Sequence, residues 1–484
     1  MKTNFENKNN EQIIHNDKET AATIAAVSTP AGISGIAVIR LSGDQAGFIC
    51  DQLFQPMNKN FKKPSQMQAY TVGVGYWHAY QKKEIIDQIV LTFFKAPHSY
   101  TGEDVYEISC HGGQYIREAI LQSLFEAGAE PAGPGEFSKR AFINGKLNLT
   151  EAEAVMDMIS AESSRQNQVA LQQLRGNLSK QIDKLRDQLY KVIAQIEMII
   201  EFPENEDSPE KRQMIANRLS EINDVLQQAI ASFTHGRIIR EGFQVVIAGQ
   251  PNVGKSSLLN CLLGEDRAIV TSEAGTTRDI VDAQLIIDGL SIHLTDTAGL
   301  RLTENIVEKE GINRAYQALE KADLIFYVFS PENPNTWQQD LEEIKTLLNQ
   351  NKNITIIAGK RDLQEHQELS TFLDRHIDNL DILDFSAFDD QADLSIKKYI
   401  LQTFEKFGKT ESDAILITHL RHRNILEKTF SHIQEAEQAF ENQIPLDIIS
   451  GLLQASAENL AEITGDQVSE ELIDTIFSEF CVGK

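Results

Sequence analysis

The sequence predicts a multidomain fold, α+β and α/β: an N-terminal α+β domain, an α-helical bundle domain, and an α/β domain with a mostly parallel sheet inserted between two helical segments. Three observations predict it. Short strand-like runs separated by Gly/Pro turns fill Thr23 to about Ala141. Apolar stripes with helical steps run from Leu178 to Ile230. From about Gly242 to Phe404, buried-strand runs alternate with helical segments. The expected boundaries are 1–22 for a disordered extension, 23–145 for the N-terminal domain, 146–241 and 405–484 for two parts of the helical domain, and 242–404 for the insertion.

A chain of 484 residues exceeds a single core and should divide into two to four domains. No stretch approaches the roughly 18 unbroken apolar residues of a membrane span. The first twenty or so residues are rich in Asn, Lys and Glu and lack an apolar core. They therefore read as disordered, neither a signal peptide nor a transit peptide. Cys50, Cys110, Cys261 and Cys481 lie far apart, without zinc-site spacing, so reduced thiols and a cytoplasmic location are expected. The formal net charge of -26 repels nucleic acid at long range, so any RNA contact requires a local basic patch or a basic partner.

In the N-terminal block, Ile36–Leu41 and Ile89–Phe94 read as strands, and a helical pattern covers about Ile116 to Phe125. Thr150-Glu151-Ala152-Glu153 fits a capping box that opens the helical part. Leu178, Ile182, Leu185, Leu189, Val192 and Ile196 then step by four and three, and Leu219, Ile222, Leu226 and Ile230 extend the pattern in a second helix. Loops interrupt the repeat, which favours a packed bundle over a coiled-coil dimer. In the insertion, Phe243–Ile247, Leu324–Phe329 and Ile354–Ala358 read as buried parallel strands. Ile286 to Ile292 forms a hairpin around Asp288-Gly289, a pair suited to a tight primed turn. After Glu411 the pattern is helical again.

Gly249-Gln250-Pro251-Asn252-Val253-Gly254-Lys255-Ser256 follows the first strand of the insertion and opens a helix through Ser257. Glycines let the backbone wrap a phosphate, and successive N–H groups point at the anion. Lys255 neutralises β/γ oxygens and Ser256 supplies a hydroxyl to Mg²⁺. Asp296-Thr297-Ala298-Gly299 ends a later strand. There Asp296 holds Mg²⁺ through water and the Gly299 N–H senses the γ-phosphate. Between them lies Thr271-Ser272-Glu273-Ala274-Gly275-Thr276-Thr277, where switch I belongs, with Thr277 as the second Mg²⁺ hydroxyl. The order of these elements marks a Ras-like P-loop α/β GTPase domain that binds GTP. Base recognition departs from the usual Asn/Thr-Lys-x-Asp: the strand end reads Gly359-Lys360-Arg361-Asp362, and Ser386-Ala387-Phe388 carries Phe where Lys is usual. Asp362 still accepts both guanine N–H donors and the Lys360 stem covers the ring, but Gly359 supplies no amide. Guanine is the expected base, with looser binding.

Leu300 occupies the position of the water-orienting Gln. A catalytic polar group must come from elsewhere, and the following segment offers Glu304, Glu308 and Glu310.

The flanks narrow the reading. The chain ends Cys481-Val482-Gly483-Lys484, which resembles the Cys-x-Gly-Lys terminus of the MnmE (TrmE) family of tRNA modification GTPases. Thr29-Pro30-Ala31-Gly32-Ile33-Ser34-Gly35 leading to Arg40, Thr101–Glu107, His111-Gly112-Gly113 and Pro134–Phe142 resemble the family's N-terminal motifs, in its order. The resemblance implies a tetrahydrofolate-binding, constitutively dimeric N-terminal domain. Arg40 and Lys146 fall at contacts to the glutamyl tail, Glu107 at the pterin, and Lys484 at the terminal contact. It implies potassium beside the phosphates, held by Asn252, the Thr271 and Glu273 carbonyls and Thr276, in place of an arginine finger worth roughly 10³–10⁵ in rate. Glu308 falls at the catalytic glutamate.

The implied reaction is GTP-dependent addition of a carboxymethylaminomethyl or aminomethyl group to C5 of the wobble uridine, U34, of certain tRNAs. Methylene-tetrahydrofolate supplies the carbon, with 5-formyl-tetrahydrofolate as an analogue. An FAD-dependent partner, MnmG, completes a heterotetramer and carries much of the tRNA contact. Arg421-His422-Arg423 is a basic cluster that reads first as a solvated helix face. Cys481, in a hydrophobic tail, reads first as a packed thiol. The alternative function is a GTP-switched RNA-binding or ribosome-assembly factor, which usually appends a KH-type domain or a second G domain. A stand-alone folate aminomethyltransferase would not need an intact GTPase.

Overall fold

The computed structural model describes residues 22–58, 61, 63–264, 282–296, 316–377, 380–389, 391–408 and 415–484. By compactness the chain forms two units, one of residues up to Ala152 together with Thr464–Lys484, the other Glu153–Ile463.

The first unit is built on a sheet of order β3-β4-β5-β6-β2-β1-β7 among the described residues. Its strands are β1 (Ile24–Val27), β2 (Ser34–Ser42), β3 (Phe54–Pro56), β4 (Thr71–His78), β5 (Ile85–Phe94), β6 (Val105–Gly112) and β7 (Glu130–Pro131). Alternation assigns the faces. Ile39, Leu41, Trp77, Ile89, Leu91, Tyr106 and Ile108 join Ile49, Leu53, Ile120 and Leu124 of helices α1 (Ala46–Leu53) and α2 (Gln114–Glu126) in one core. The other face keeps Val72, Val74 and Val90 exposed, at 57%, 44% and 37%. Helix α3 (Glu136–Ile143) follows, and the C-terminal helix Glu470–Ser478 packs near it through Phe142 and Phe477, ring centroids 6.2 Å apart.

Helix α4 (Leu149–Ser160) begins two residues before the expected start. Its capping box is Asn148 with Glu151: Asn148 Oδ1 accepts from the Glu151 N–H at 2.9 Å, and Glu151 Oε2 accepts from the Asn148 N–H at 3.0 Å. An Asn satisfies the orphan amide as well as Thr does. Glu153 is thereby free for another task, described below.

In the second unit, α5 (Ser164–Leu174) precedes the long bundle helix α6 (Asn177–Glu201). The short α7 (Pro203–Glu206), α8 (Pro209–Ala231) and α9 (Phe233–Glu241) complete the first helical run. All six expected stripe residues of α6 are buried, as are Leu219, Ile222 and Leu226 of α8. They form a core with Ile425, Leu426 and Ile433 of the helix Leu420–Glu441 and with Leu453 and Leu460 of the helix Leu446–Thr464.

The inserted α/β domain carries a sheet of order β13-β12-β11-β8-β10-β9 among the described residues. Here β8 is Phe243–Ala248, β9 Asp282–Ile287, β10 Leu290–Asp296, β11 Leu324–Phe329, β12 Ile354–Ala358 and β13 Asp381–Asp384. All neighbours run parallel except β9–β10, the expected hairpin. Asp288 and Gly289 both take positive φ, 49° and 74°, as a type I′ turn demands. Both faces are covered: α10 (Lys255–Leu263) and Ala392–Lys406 supply one apolar layer, Trp337–Asn349 and His366–His376 the other. That explains strands with no polar alternation.

Candidate functional site: a phosphate loop and a C-terminal tail

β8 delivers the chain to Gly249, whose φ of +132° and close approach to the Val328 carbonyl, 2.5 Å from where a Cβ would sit, admit only glycine. Asn252 (φ 64°) and Gly254 (φ 108°) turn the loop, and Gly254 is the N-cap of α10. The first turn of α10 and the loop thus aim N–H groups at one concavity, where the helix dipole favours an anion. Buried Lys255 donates from Nζ to the Gly249 and Gln250 carbonyls at 2.8 and 2.7 Å, holding its charge inside the loop. Val253 anchors the loop in the core. Ser256 Oγ donates to Asp296 Oδ2 at 3.4 Å because β10 and β8 pair in parallel with Asp296 beside Ile247. Ser257 is exposed beside Ser256. A hydroxyl and a buried carboxylate at the mouth of an anion nest suit a hard divalent cation.

The base end is assembled by β12–β13 pairing. Asp362 Oδ1 accepts from Ser386 Oγ at 2.7 Å, and Ser386 Oγ accepts from the Phe388 N–H at 3.3 Å, bringing together the two segments singled out in the sequence. Lys360, with φ 55°, pairs its ammonium with Glu332. Ala387 is exposed, and Phe388 stands 84% exposed. A Cβ on Gly359 would lie 3.0 Å from the Phe329 carbonyl and 3.4 Å from the Val253 carbonyl, so the strand end runs close to the phosphate loop. Thr271, Ser272, Glu273, Ala274, Gly275, Thr276, Thr277, Thr297, Ala298, Gly299, Leu300, Glu304, Glu308 and Glu310 lie outside the described residues.

A second cluster is built in the first unit. Register pairs Arg40 of β2 with Glu107 of β6. Arg40 donates from Nε and Nη2 to Glu107 Oε1 at 3.2 and 2.9 Å, and its guanidinium lies over the rings of Tyr100 and Phe137, 5.0 and 5.5 Å from their centroids. Neither aromatic was foreseen in this role, although both belong to or flank the quoted motifs. Arg40 Nη1 is buried without a hydrogen-bond partner.

The C-terminal tail completes the cluster. Gly483, with φ +93°, passes so close to β1 that a Cβ would sit 2.2 Å from the Val27 carbonyl. Its carbonyl accepts from Ser28 Oγ at 3.0 Å, and the Lys484 carbonyl accepts from the Phe137 N–H at 3.2 Å. Burial, and then the Arg40 charge, push the Lys484 ammonium below its ordinary pKa. Lys146 runs beside Gly102, its Cγ and Cδ 3.3 and 3.4 Å from where a Cβ would be, two residues from Tyr100. Cys481 is exposed, correcting the packed-thiol expectation; Phe477 and Phe480 fill the interior instead.

The basic cluster at Arg421 is likewise not a solvated face. Arg421 grips Glu153 from Nε and Nη2 at 2.9 and 3.1 Å, and His422 Nε2 lies 2.8 Å from the same carboxylate. Burial, the largest influence, pushes His422 down to about 4. Burial alone would raise Glu153, but His422 and Arg421 hold its carboxyl well below the usual range. Arg421 and His422 serve a buried network, and only Arg423, paired with Glu427, is surface charge.

Two family models match: the GTP-binding protein TrmE N-terminus over residues 23–146, and the MnmE helical domain over residues 149–481. The tRNA modification GTPase MnmE of Alkaliphilus oremlandii is 39% identical over 462 residues, 96% of this chain and 99% of the relative. That of Streptococcus gordonii is 38% identical over 464 residues, 96% and 98% of the two chains. Among solved structures, the G domain of the T. maritima FeoB iron transporter aligns with 33% of this chain and 98% of its own, at 27% identity and a TM-score of 0.27, too low for a structural argument. Motifs, geometry and full-length relatives agree, and the chain belongs to the MnmE family of tRNA modification GTPases.

Proposed function

We propose that this protein hydrolyses GTP and couples that cycle to modification of tRNA, adding a carboxymethylaminomethyl or aminomethyl group to C5 of the wobble uridine with a folate one-carbon unit. The observation that carries the reading is the presence in one chain of a phosphate nest and a separate anion-ready site. The nest is closed by Lys255, Ser256 and Asp296. The second site is centred on Arg40, whose buried Nη1 lacks a partner.

In the nest, loop amides and Lys255 bind the β/γ-phosphates. Ser256, Asp296 and Thr277 would hold Mg²⁺, which would supply positive charge against the phosphates. Asn252, Thr271, Glu273 and Thr276 would hold potassium, which would supply the positive charge of an arginine finger. Glu308 orients water, since Leu300 offers no polar atom. Asp362 accepts the guanine N–H donors and Lys360 covers the ring.

Arg40, Glu107, Lys146 and Lys484 would hold the folate: Arg40 and Lys146 at its anionic glutamyl tail, Glu107 accepting from the pterin's N–H donors, and Lys484 at the terminal contact. When bound, methylene-tetrahydrofolate supplies the carbon that is transferred. Residues 23–145 make the folate and dimerisation domain, 146–241 and 405–484 the helical domain, whose end from Thr464 onward belongs to the first compact unit, and 242–404 the G domain. The exposed Val72, Val74 and Val90 face supports a homodimer, since contiguous apolar surface marks an interface. The net charge of -26, with Arg421 already spent on Glu153, supports a basic partner, the FAD-dependent MnmG, carrying much of the tRNA contact. No helix among the described residues is long and apolar enough to cross a membrane, in keeping with cytoplasmic work. Mass spectrometry of wobble nucleosides from a strain lacking this gene tests the reading: loss of the C5 modification is expected, and an unchanged nucleoside profile refutes it.

A further inference from the structure

The hairpin between the two nucleotide-sensing segments has its tip fastened to helix α5. Arg165 donates from Nε to the Asp288 carbonyl at 2.9 Å and from Nη2 to Asp288 Oδ2 at 2.7 Å. Its backbone N–H donates to the Gly289 carbonyl at 3.2 Å. That N–H lies in the first turn of α5, where backbone donors have no intrahelical acceptor, so the turn also caps the helix. Gly289 presses so closely that a Cβ would lie 2.3 Å from Ser164 Oγ. A second contact ties Gln284 of β9 to Glu162. Val169 of α5 packs against the core under the α/β sheet, and the Arg165 guanidinium lies 5.6 Å from the Phe404 ring centroid.

The chain path gives these contacts their meaning. β9 follows residues 265–281 directly, and β10 runs from the turn to Asp296, the carboxylate set against Ser256. An exposed ion pair contributes only about 0–1 kcal/mol, so stability is a poor account of three hydrogen bonds converging on two turn residues. Their effect is to fix where β10 begins, and its pairing with β8 carries Asp296 to its place beside Ile247. We infer that Arg165 is a positioning residue for GTP hydrolysis: by holding the Asp288-Gly289 turn on α5 it sets the placement of Asp296 beside the P-loop. The inference rests on the GTPase reading above.

The test compares full-length wild type, Arg165→Ala, Arg165→Lys and Gly289→Ala, with kcat and KM for GTP, affinity for a fluorescent GDP analogue, and thermal melts to normalise for folded protein. A displacement of 1 Å can cost about 10² in rate; a tethered strand shifting less predicts a roughly tenfold lower kcat for Arg165→Ala, with GDP affinity within about twofold of wild type. Arg165→Lys retains the charge but not the fork and should fall between. Gly289→Ala, which pushes the turn off Ser164, should lower kcat in the same way. An Arg165→Ala enzyme with wild-type kcat overturns the inference, whatever its melting temperature. Parallel loss of GDP affinity and kcat also overturns it, because the contact would then maintain the whole site rather than place one strand. Wild-type protein without GTP hydrolysis would overturn the underlying reading instead.

Discussion

The phosphate loop and the tail cluster both hold charge ready for an anionic ligand, yet they use the chain in opposite ways. The loop needs Gly249 to Ser256, eight consecutive residues, because its main donors are backbone N–H groups aimed by local φ values at Gly249, Asn252 and Gly254. The tail cluster joins Arg40, Glu107 and Lys484 from three segments, using β2–β6 register and a terminus that threads past β1. A site built from backbone donors is encoded locally, in the φ values of a few consecutive residues. A site built from side chains depends on every element that sets their spacing.

The largest expected effect falls at the loop. Lys255→Ala removes the one buried cation of the nest, and losing two charge-assisted contacts at about 1.5–3 kcal/mol each predicts roughly 10²–10⁴-fold weaker GTP binding by fluorescent-nucleotide titration. Folate affinity should not move. If it does, the two sites are not separable and the comparison fails.

Acid should act next, through a buried network in the unit that carries the loop. His422 is held down to about 4 by burial and Glu153 is held ionised by His422 and Arg421. The folded His422 value lies below its unfolded one, so protonating it costs stability as pH falls from about 6.5 toward 4; the depressed Glu153 carboxyl keeps its contribution across that window and loses it only at lower pH. Thermal melts should drop across that window, and His422→Gln should flatten the slope. A melting temperature independent of pH from 6.5 to 4 would remove the network from this account.

The base motif ranks third. Asp362→Asn loses the charged pair with guanine, about 1.5–3 kcal/mol. GTP preference should largely vanish and xanthosine triphosphate should be gained, because xanthine has a carbonyl where guanine has its amino group. Gly359→Asn should tighten GTP several-fold at most, since its Cβ would press the Phe329 carbonyl at 3.0 Å. Equal ATP and GTP affinity in the wild type would mean that Gly359 has already changed the base.

The smallest of these effects sharpens the other half of the comparison. Gly483→Ala forces a side chain into a left-handed φ and against the Val27 carbonyl, a strain on the order of 1–3 kcal/mol that displaces Lys484. Calorimetry should give about tenfold weaker folate binding with GTP hydrolysis intact, and deletion of Lys484 should match it. Unchanged folate affinity in both variants would dismiss the tail as a ligand contact.

Much of this molecule was legible before folding. Helix periodicity predicted the central stripe of α6, though not the burial of Ile193 and Ile199 beside it, and the Asp288-Gly289 hairpin and the phosphate loop are local conformations that glycine and turn chemistry specify. Three features were not legible. Asn148 rather than Thr150 caps α4, its side chain and that of Glu151 each accepting from the other's backbone N–H. Arg421 and His422 turn inward to Glu153, 268 and 269 residues away, so their charge count said nothing about their surroundings. Arg40 and Glu107 pair with each other because strand register places them opposite. The sequence by itself determined what short-range sterics and periodicity control: the elements, the anion nest and the order of the motifs. Only the tertiary structure decided which distant charges meet, because side-chain partners are chosen by register and burial, which no local pattern contains.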